Sequence, residues 1–428
     1  MRDQLTRRYP EQYPAQLINS FPWWAKGGPI LEWPLYAGKD SRGKKNPLAG
    51  TGDLKGFITI LPMIQKMGYE AVWFTPLYPS ALEDRGYDIT NYLAVDPAYG
   101  SMEDFEHLLE VAHKLGLKIL MDLVPGHTSD QHPFFQESQN DPEGPYGDFY
   151  IWDKEGERSV FYIDEAGQRR VVRNILENPT NARTVWASDG LKTEAYCWHW
   201  NDVRKAYYWH RFYRFQPALN YRNPKVVAMM DDVVRFWLKK GVDGLRVDAV
   251  PFLFEEDQTP SEDHPLVHWW IRHVKSLIQQ EFPHAMLLCE ADLPDPKMRT
   301  YVEPGKFDAG FDFQARINMM LAMASMDGSS IENLVRERPT LPMGITWFKQ
   351  LENHDDMRAE WELQMIQDFL LDFFGNGTRG EKYLTNAVVG GLWPLLDGDA
   401  AKIFQIEAIR AILPGVAIDY YRQLIGMW

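Results

Sequence analysis

Eight short apolar runs, at 30–36, 71–75, 119–124, 244–249, 286–290, 309–313, 347–351 and 416–421, constrain the fold more than any other feature of this chain. Helical-period stretches separate most of them, and strands alternating with amphipathic helices are the pattern of βα units around a parallel sheet. SMEDFEHLLEVAHKLG opens on Ser101 with Asp104 three residues on, a capping-box arrangement, and stops at Gly116. NPKVVAMMDDVVRFWLKKG carries Pro224 in its first turn and ends on Lys239, Lys240 and Gly241. DAAKIFQIEAIRAILPG runs in the same manner from Asp399 to Pro414. Eight strands with intervening helices predict an α/β fold, a (β/α)8 TIM barrel, whose functional groups collect at the C-terminal ends of the strands. One connection breaks the rhythm. Between His127 and Asn220 lie about ninety residues rich in Trp, Tyr, Asp, Gly and Pro with little helical period, too long for a structureless loop. The expected organisation is a barrel from 1–127 and 221–428, with a small domain, 128–220, inserted after the third strand. Within the insertion, SVFYIDEAGQRRVV predicts a hairpin turning at Glu165, Ala166 and Gly167.

The fourth run, DGLRVDAV, is odd for a strand buried on both faces, which should be almost continuously apolar. Arg246 and Asp248 alternate with Leu245 and Val247, so the two charges share one face, roughly 6.6 Å apart. Other strand ends are also polar: Asp122 and then His127 on the third, Glu290 and Asp292 on the fifth, and Asn353, His354 and Asp355 on the seventh. A single acid after a strand is ordinarily a helix N-cap, and a lone histidine a satisfied core residue. Their joint placement on four strands points to a site. A binuclear metal centre would need a histidine-rich ligand set, and the first strand has no histidine pair. Retaining glycoside hydrolysis needs two carboxyls about 5–5.5 Å apart. Asp248 and Glu290, on adjacent strands about 4.8 Å apart, suit that spacing. Arg246 is then expected to hold Asp248 ionised, while an apolar wall and nearby negative charge keep Glu290 protonated.

Composition narrows the partners. The 428 residues carry a net charge of −15, which argues against a nucleic-acid partner because phosphate neutralisation needs clustered Lys and Arg. Sixteen tryptophans suit core packing, and equally stacking on sugar rings; Trp198, Trp200 and Trp209 of the insertion are candidates for either. Cys197 and Cys289 are too few for a disulfide framework. The chain opens without a secretory signal and contains no run of about 18 apolar residues, so the expectation is a cytoplasmic protein with no membrane partner.

At the polar strand ends the sequence resembles the α-amylase superfamily, glycoside hydrolase family 13. DLVPGHTS at 122–129, GLRVDAV at 244–250, LLCEAD at 287–292 and LENHDD at 351–356 are similar to its four principal regions, in order. GYEAVWFTP at 68–76 and QPALN at 216–220 are similar to two more, so the resemblance covers about residues 30–428. It implies a domain B after strand three and assigns roles residue by residue. Asp248 would be the nucleophile, Glu290 the general acid/base, and Asp355 the group that binds sugar hydroxyls and stabilises the transition state. His127 and His354 would hold hydroxyls of the sugar, Arg246 would support Asp248, and Asp122 would support Arg246. EDRGYDIT is similar to an Asp-x-x-Tyr element, giving Asp84 for the terminal sugar and Tyr87 for stacking under its ring.

The departures are specific. Gly126 stands where many α-amylases have a calcium-binding Asn, and GTGDLKG keeps only the tail of an aspartate-rich metal loop. No metal and no cofactor are therefore expected. GVAIDYYRQLIGMW resembles the family's eighth strand, but Ala417, Arg422 and Leu424 replace its usual Pro, Gly and Glu. No eighth helix or C-terminal β-domain is expected after it, so self-association is one expected cover for that barrel edge. YYWHRFYRFQPALNYRNP and LWPLLDGDAAKIFQIEAIRAILPG are most similar to trehalose synthases and oligosaccharide α-glucosidases. The implied activity is retaining hydrolysis of α-glucosidic bonds in malto-oligosaccharides. The alternative is an intramolecular transglucosylase converting maltose to trehalose. A non-catalytic scaffold on the same fold is a third reading, against which all three carboxylates stand.

Overall fold

Eight parallel strands close into a barrel: β1 (Ile30–Glu32), β2 (Ala71–Phe74), β3 (Lys118–Leu123), β4 (Gly244–Val247), β5 (Met286–Cys289), β6 (Ala309–Phe311), β7 (Thr346–Gln350) and β8 (Val416–Tyr420). The computed structural model describes residues 22–25, 27–42, 50–153, 160–163, 169–172, 198–254, 263–338, 341–355, 357–358 and 389–425. Each strand pairs with its sequence neighbours, and β1 pairs with β8 to complete the ring. This is the expected TIM barrel.

Alternation along the strands sorts their side chains into two layers. Ile30, Trp73, Leu120, Leu288, Phe311, Phe348 and Ile418 form one buried cluster, the barrel interior. Leu31, Phe74, Met121, Leu245, Val247 and Leu287 belong to a second, packed under the surrounding helices. Arg246 shares the interior parity and lies opposite Asp122 on β3 and Leu288 on β5. The charged residues of the fourth run therefore face the inside of the barrel near its C-terminal rim.

The helices form where the sequence supplies both a stripe and an end signal. α1 (Met102–Lys114) starts at the Ser101–Asp104 capping box, with Asp104 N–H donating to Ser101 Oγ at 3.2 Å and Ser101 N–H to Asp104 Oδ2 at 3.1 Å. α2 (Pro224–Lys240) is capped by Asn223 and stops at Gly241, whose φ of 105° is cheap only for glycine. α3 (Pro265–Glu281) follows β4, α4 (Phe313–Ser325) and α5 (Ser329–Glu337) follow β6, and α6 (Ala400–Ile412) precedes β8. A short helix, Tyr421–Ile425, comes after β8.

The first strand is shorter than the sequence predicts. The run at 30–36 leaves the sheet after Glu32, because Pro34 has no N–H for the ladder, and Leu35–Ala37 make a 3-10 turn instead.

Between β3 and β4 the chain forms a helix, Pro133–Asn140, and an antiparallel sheet in which Ala206–Trp209 lies between Trp152–Asp153 and Trp198–Asn201. Val160–Ile163 pairs antiparallel with Arg169–Val172, while the predicted turn at 165–167 and Cys197 lie outside the described residues. Trp198 and Trp209 pack edge to face with centroids 5.3 Å apart and are buried; Trp200 is exposed. A single bridge at His127–Ala218 and the Leu219 N–H donating to the Gly126 carbonyl at 3.0 Å tie this region to the loop that leaves β3.

Candidate active site

The barrel rim is organised around one guanidinium. Arg246 Nη1 lies 2.8 Å from Asp248 Oδ1 and 3.2 Å from Asp122 Oδ1, and Nη2 lies 2.6 Å from Glu290 Oε1. A planar fork with fixed N–H directions can hold three carboxyls at once, which a lysine ammonium on a flexible stem does not do. Asp122 is fully buried and also accepts from Trp73 Nε1 at 3.0 Å and Tyr87 Oη at 2.6 Å. Burial pushes its carboxyl up, and the Arg246 charge works against that.

Asp248 and Glu290 stand just beyond the paired strands β4 and β5, both bonded to Arg246. Burial, and then the Glu290 charge, push the Asp248 carboxyl well above the ordinary range, with Arg246 opposing. The sequence predicts that Arg246 holds Asp248 ionised. The fork spans both carboxyls, and its charge is outweighed at Asp248 by burial and the Glu290 charge. Glu290 Oε2 also accepts from the Ala249 backbone N–H at 2.9 Å. Ala249 sits at φ 47°, a strained conformation for a residue with a Cβ, at the point where the chain leaves β4.

A second arm of the site comes from the loop after β7. His354 Nε2 is 2.8 Å from Tyr87 Oη and 3.7 Å from Asp355 Oδ2. Asp355 is much the most open of the three predicted carboxylates, its side chain 45% exposed against 13% for Asp248 and 20% for Glu290. The Tyr87 ring lies 5.3 Å from the His354 ring and nearly parallel to it, so one of its faces is already covered. Burial works against charge on His354, but Asp355 and Glu32 outweigh it and raise the imidazole to about 9. His127 is its opposite. It is buried against Phe212, its Nε2 meets the Tyr87 carbonyl at 3.2 Å, and burial lowers it to about 4. Asp84 receives Gln216 Nε2 at 2.7 Å; burial, then the neighbouring Asp355 and Asp88, raise it to about 7.

The structure thus brings all nine predicted residues, Asp84, Tyr87, Asp122, His127, Arg246, Asp248, Glu290, His354 and Asp355, into one connected set. Sequence reasoning missed two members. Glu32 ends β1 and accepts from His354 Nδ1 at 2.7 Å; it escaped because the run containing it was read as strand to residue 36, leaving it mid-strand. Gln216 lies in QPALN, and only its polar character marked it.

The loop before the short helix Leu54–Ile58 bears on calcium. Arg42 Nε lies 3.0 Å from Asp40 and 3.2 Å from Asp53, Nη1 donates to the Ala98 carbonyl at 2.6 Å, and Nη2 donates to the Thr51 carbonyl. The Gly50 and Arg42 N–H groups hold Asp40 down at about 2. With a guanidinium already set among two carboxylates and two carbonyls, this oxygen set does not fit a calcium ion as well.

A model of the alpha amylase catalytic domain matches residues 37–367. The chain belongs to the α-amylase family. Among its family relatives, a trehalose synthase/amylase of Mycobacterium tuberculosis is 35% identical over 418 residues, 96% of this chain and 64% of that protein. A salivary alpha-glucosidase of Anopheles gambiae is 31% identical over 376 residues, 81% of this chain and 59% of that protein. This α-amylase-family chain therefore spans less than two thirds of either relative. The solved structure of an alpha-glucosyl transfer enzyme, XgtA, superposes with a TM-score of 0.71 at 26% identity, covering 95% of this chain and 69% of that one. Among the described residues no helix is long and apolar enough to cross a membrane.

Proposed function

We propose that the chain hydrolyses α-glucosidic bonds of malto-oligosaccharides with retention of configuration, through a covalent glycosyl-enzyme. Asp248 attacks the anomeric carbon while Glu290 gives its proton to the departing glycosidic oxygen; Glu290 then takes a proton from water, which displaces Asp248. Asp355 stabilises the oxocarbenium-like transition state from the open side of the pocket. His127, His354 and Asp84 hold sugar hydroxyls, Tyr87 lies beside the sugar ring, and Asp122 keeps Arg246 in place. The observation carrying this reading is that Asp248 and Glu290 are both gripped by one guanidinium, at 2.8 and 2.6 Å. Two carboxyls held that way suit the roughly 5–5.5 Å separation of retaining enzymes better than the roughly 6.5–9.5 Å that inverting enzymes keep to admit a water. The segment inserted between β3 and β4 reaches the pocket through Gln216, which donates to Asp84.

Asp248→Asn is expected to lower turnover of an aryl α-glucoside by about three orders of magnitude or more. Equal rates for the two proteins would overturn the reading. NMR of the first-formed sugar should show the α anomer; the β anomer would equally overturn it. The similarity to a trehalose synthase/amylase favours a second reading, in which the cleaved glucose stays bound and returns to the intermediate through its own anomeric hydroxyl. Incubation with maltose separates the two: glucose as main product supports hydrolysis, and trehalose as main product supports isomerisation.

A further inference from the structure

Glu32 is an expensive residue with no task in the scheme above. It is fully buried at the interior end of β1, where removing an ion from water costs several kcal/mol. Barrel packing does not account for it, since its Oε2 has no hydrogen-bond partner among the described residues. Among the described residues its hydrogen bonds go to one partner. Oε1 accepts from His354 Nδ1 at 2.7 Å and from the His354 backbone N–H at 3.1 Å. With Nδ1 bound, the ring can only present Nε2 to Tyr87 Oη, and the Tyr87 hydroxyl donates in turn to Asp122. The donors converge on Asp122: His354 gives to Tyr87, Tyr87 gives to Asp122, and Arg246 gives to Asp122, Asp248 and Glu290, so one network links His354 to the two carboxyls.

We infer that Glu32 is a positioning residue for this site, fixing the His354 ring and main chain through Nδ1 and N–H and supplying its carboxyl partner. The inference rests on the retaining-glycosidase reading for its kinetic test but not for its structural one. His354 is faced by Glu32 from β1, Asp122 from β3, Arg246 from β4, Asp84, Arg85 and Tyr87 from the loop after β2, and Asp355 from its own loop. Arg246 and Arg85 oppose a positive ring, while Asp355 and the buried Asp122 and Asp84 favour one; Glu32 is the carboxyl hydrogen-bonded to it at Nδ1, and although burial pushes that carboxyl up, its bonds to His354 oppose the push. Nε2 is thereby held as the donor to Tyr87 Oη.

Glu32→Gln is the direct test, because an amide keeps the acceptor and the shape but removes the charge. Turnover of 4-nitrophenyl α-glucoside is measured across pH. The alkaline limb of kcat/KM is expected to move about one pH unit or more toward acid, with at least about a tenfold loss at pH 8. Glu32→Asp should bring the limb back toward its original position. In a His354→Asn background Glu32→Gln should change kcat/KM less than about twofold. An unmoved limb, or an equal effect of Glu32→Gln with and without His354, would overturn the inference. If the unaltered protein fails to turn over the glucoside, the proposed function fails instead. Histidine-labelled protein followed by NMR then still decides: His354 titrating at lower pH in Glu32→Gln supports the inference, and an unchanged titration overturns it.

Discussion

Arg246 concentrates more of this site's energetics than any other residue, because three carboxylates depend on one buried fork. Removing one partner of a buried ion pair typically costs about 3–5 kcal/mol. Arg246→Met should therefore lower Tm by several degrees, as well as abolish turnover. Arg246→Lys should recover part of the stability but little activity, since a point charge cannot hold Asp248 and Glu290 in register. Thermal melts alongside single-turnover rates would check both. Histidines supply a pH prediction. Burial lowers His127 and His132 to about 4 and His210 to about 3, against 6.5 when unfolded. The unfolded chain binds these protons first, so stability is full above about 6.5 and falls as pH drops toward 4, by up to about 1.4 kcal/mol per pH unit for each histidine. Denaturant unfolding at pH 7, 6 and 5 measures the slope. A flat profile would show that these rings are hydrated.

The elements differ in how much of them the sequence disclosed, and the difference follows the range of the forces involved. Caps and periodicity act within a few residues, so α1 starts at Ser101 and α2 stops at Gly241 as their end signals dictate. The polar strand ends were legible for the same reason: alternation alone put Arg246 and Asp248 on one face. β1 was misjudged because Trp33, Leu35 and Tyr36 keep an apolar pattern past Pro34, and only the missing N–H shows that the ladder has ended. That single misjudged boundary hid Glu32. The Arg42 cluster was hidden too, because its partners at 51, 53 and 98 converge only in the folded loop. Two substitutions test the local account. Ser101→Ala should cost about 1 kcal/mol through the lost cap. Gly415→Ala should cost more, about 2 kcal/mol or above, since φ is +115° and an added Cβ would come 2.5 Å from the Trp347 carbonyl oxygen. Urea midpoints would rank them; the reverse order would sink the strain argument.

At the scale of the molecule, the barrel depends on the seam between β1 and β8. Ile30 pairs with Ile418 and Leu31 with Asp419; Trp33 stacks on Tyr421 with ring centroids 5.4 Å apart. Beneath the seam Tyr69 donates to Asp419 at 2.7 Å, and Arg410 binds Asp419, Glu407 and the Ile418 carbonyl. Asp419→Ala should cost about 2–3 kcal/mol by leaving the buried Arg410 and Tyr69 short of a partner, while kcat of the folded enzyme changes little. Melting temperature and kcat at 25 °C would separate the two effects; loss of kcat without loss of Tm would contradict it. The seam also sets a clock. Nearly 390 residues separate Ile30 from Ile418, and ribosomes add about 5–20 residues per second, so β1 waits about 20–80 s for its second neighbour. During that interval the nascent chain exposes an unpaired strand edge beside a carboxylate destined for full burial. Chaperone occupancy and aggregation during synthesis should therefore respond to substitutions in residues 30–32 more than to comparable changes in strands that acquire both neighbours sooner.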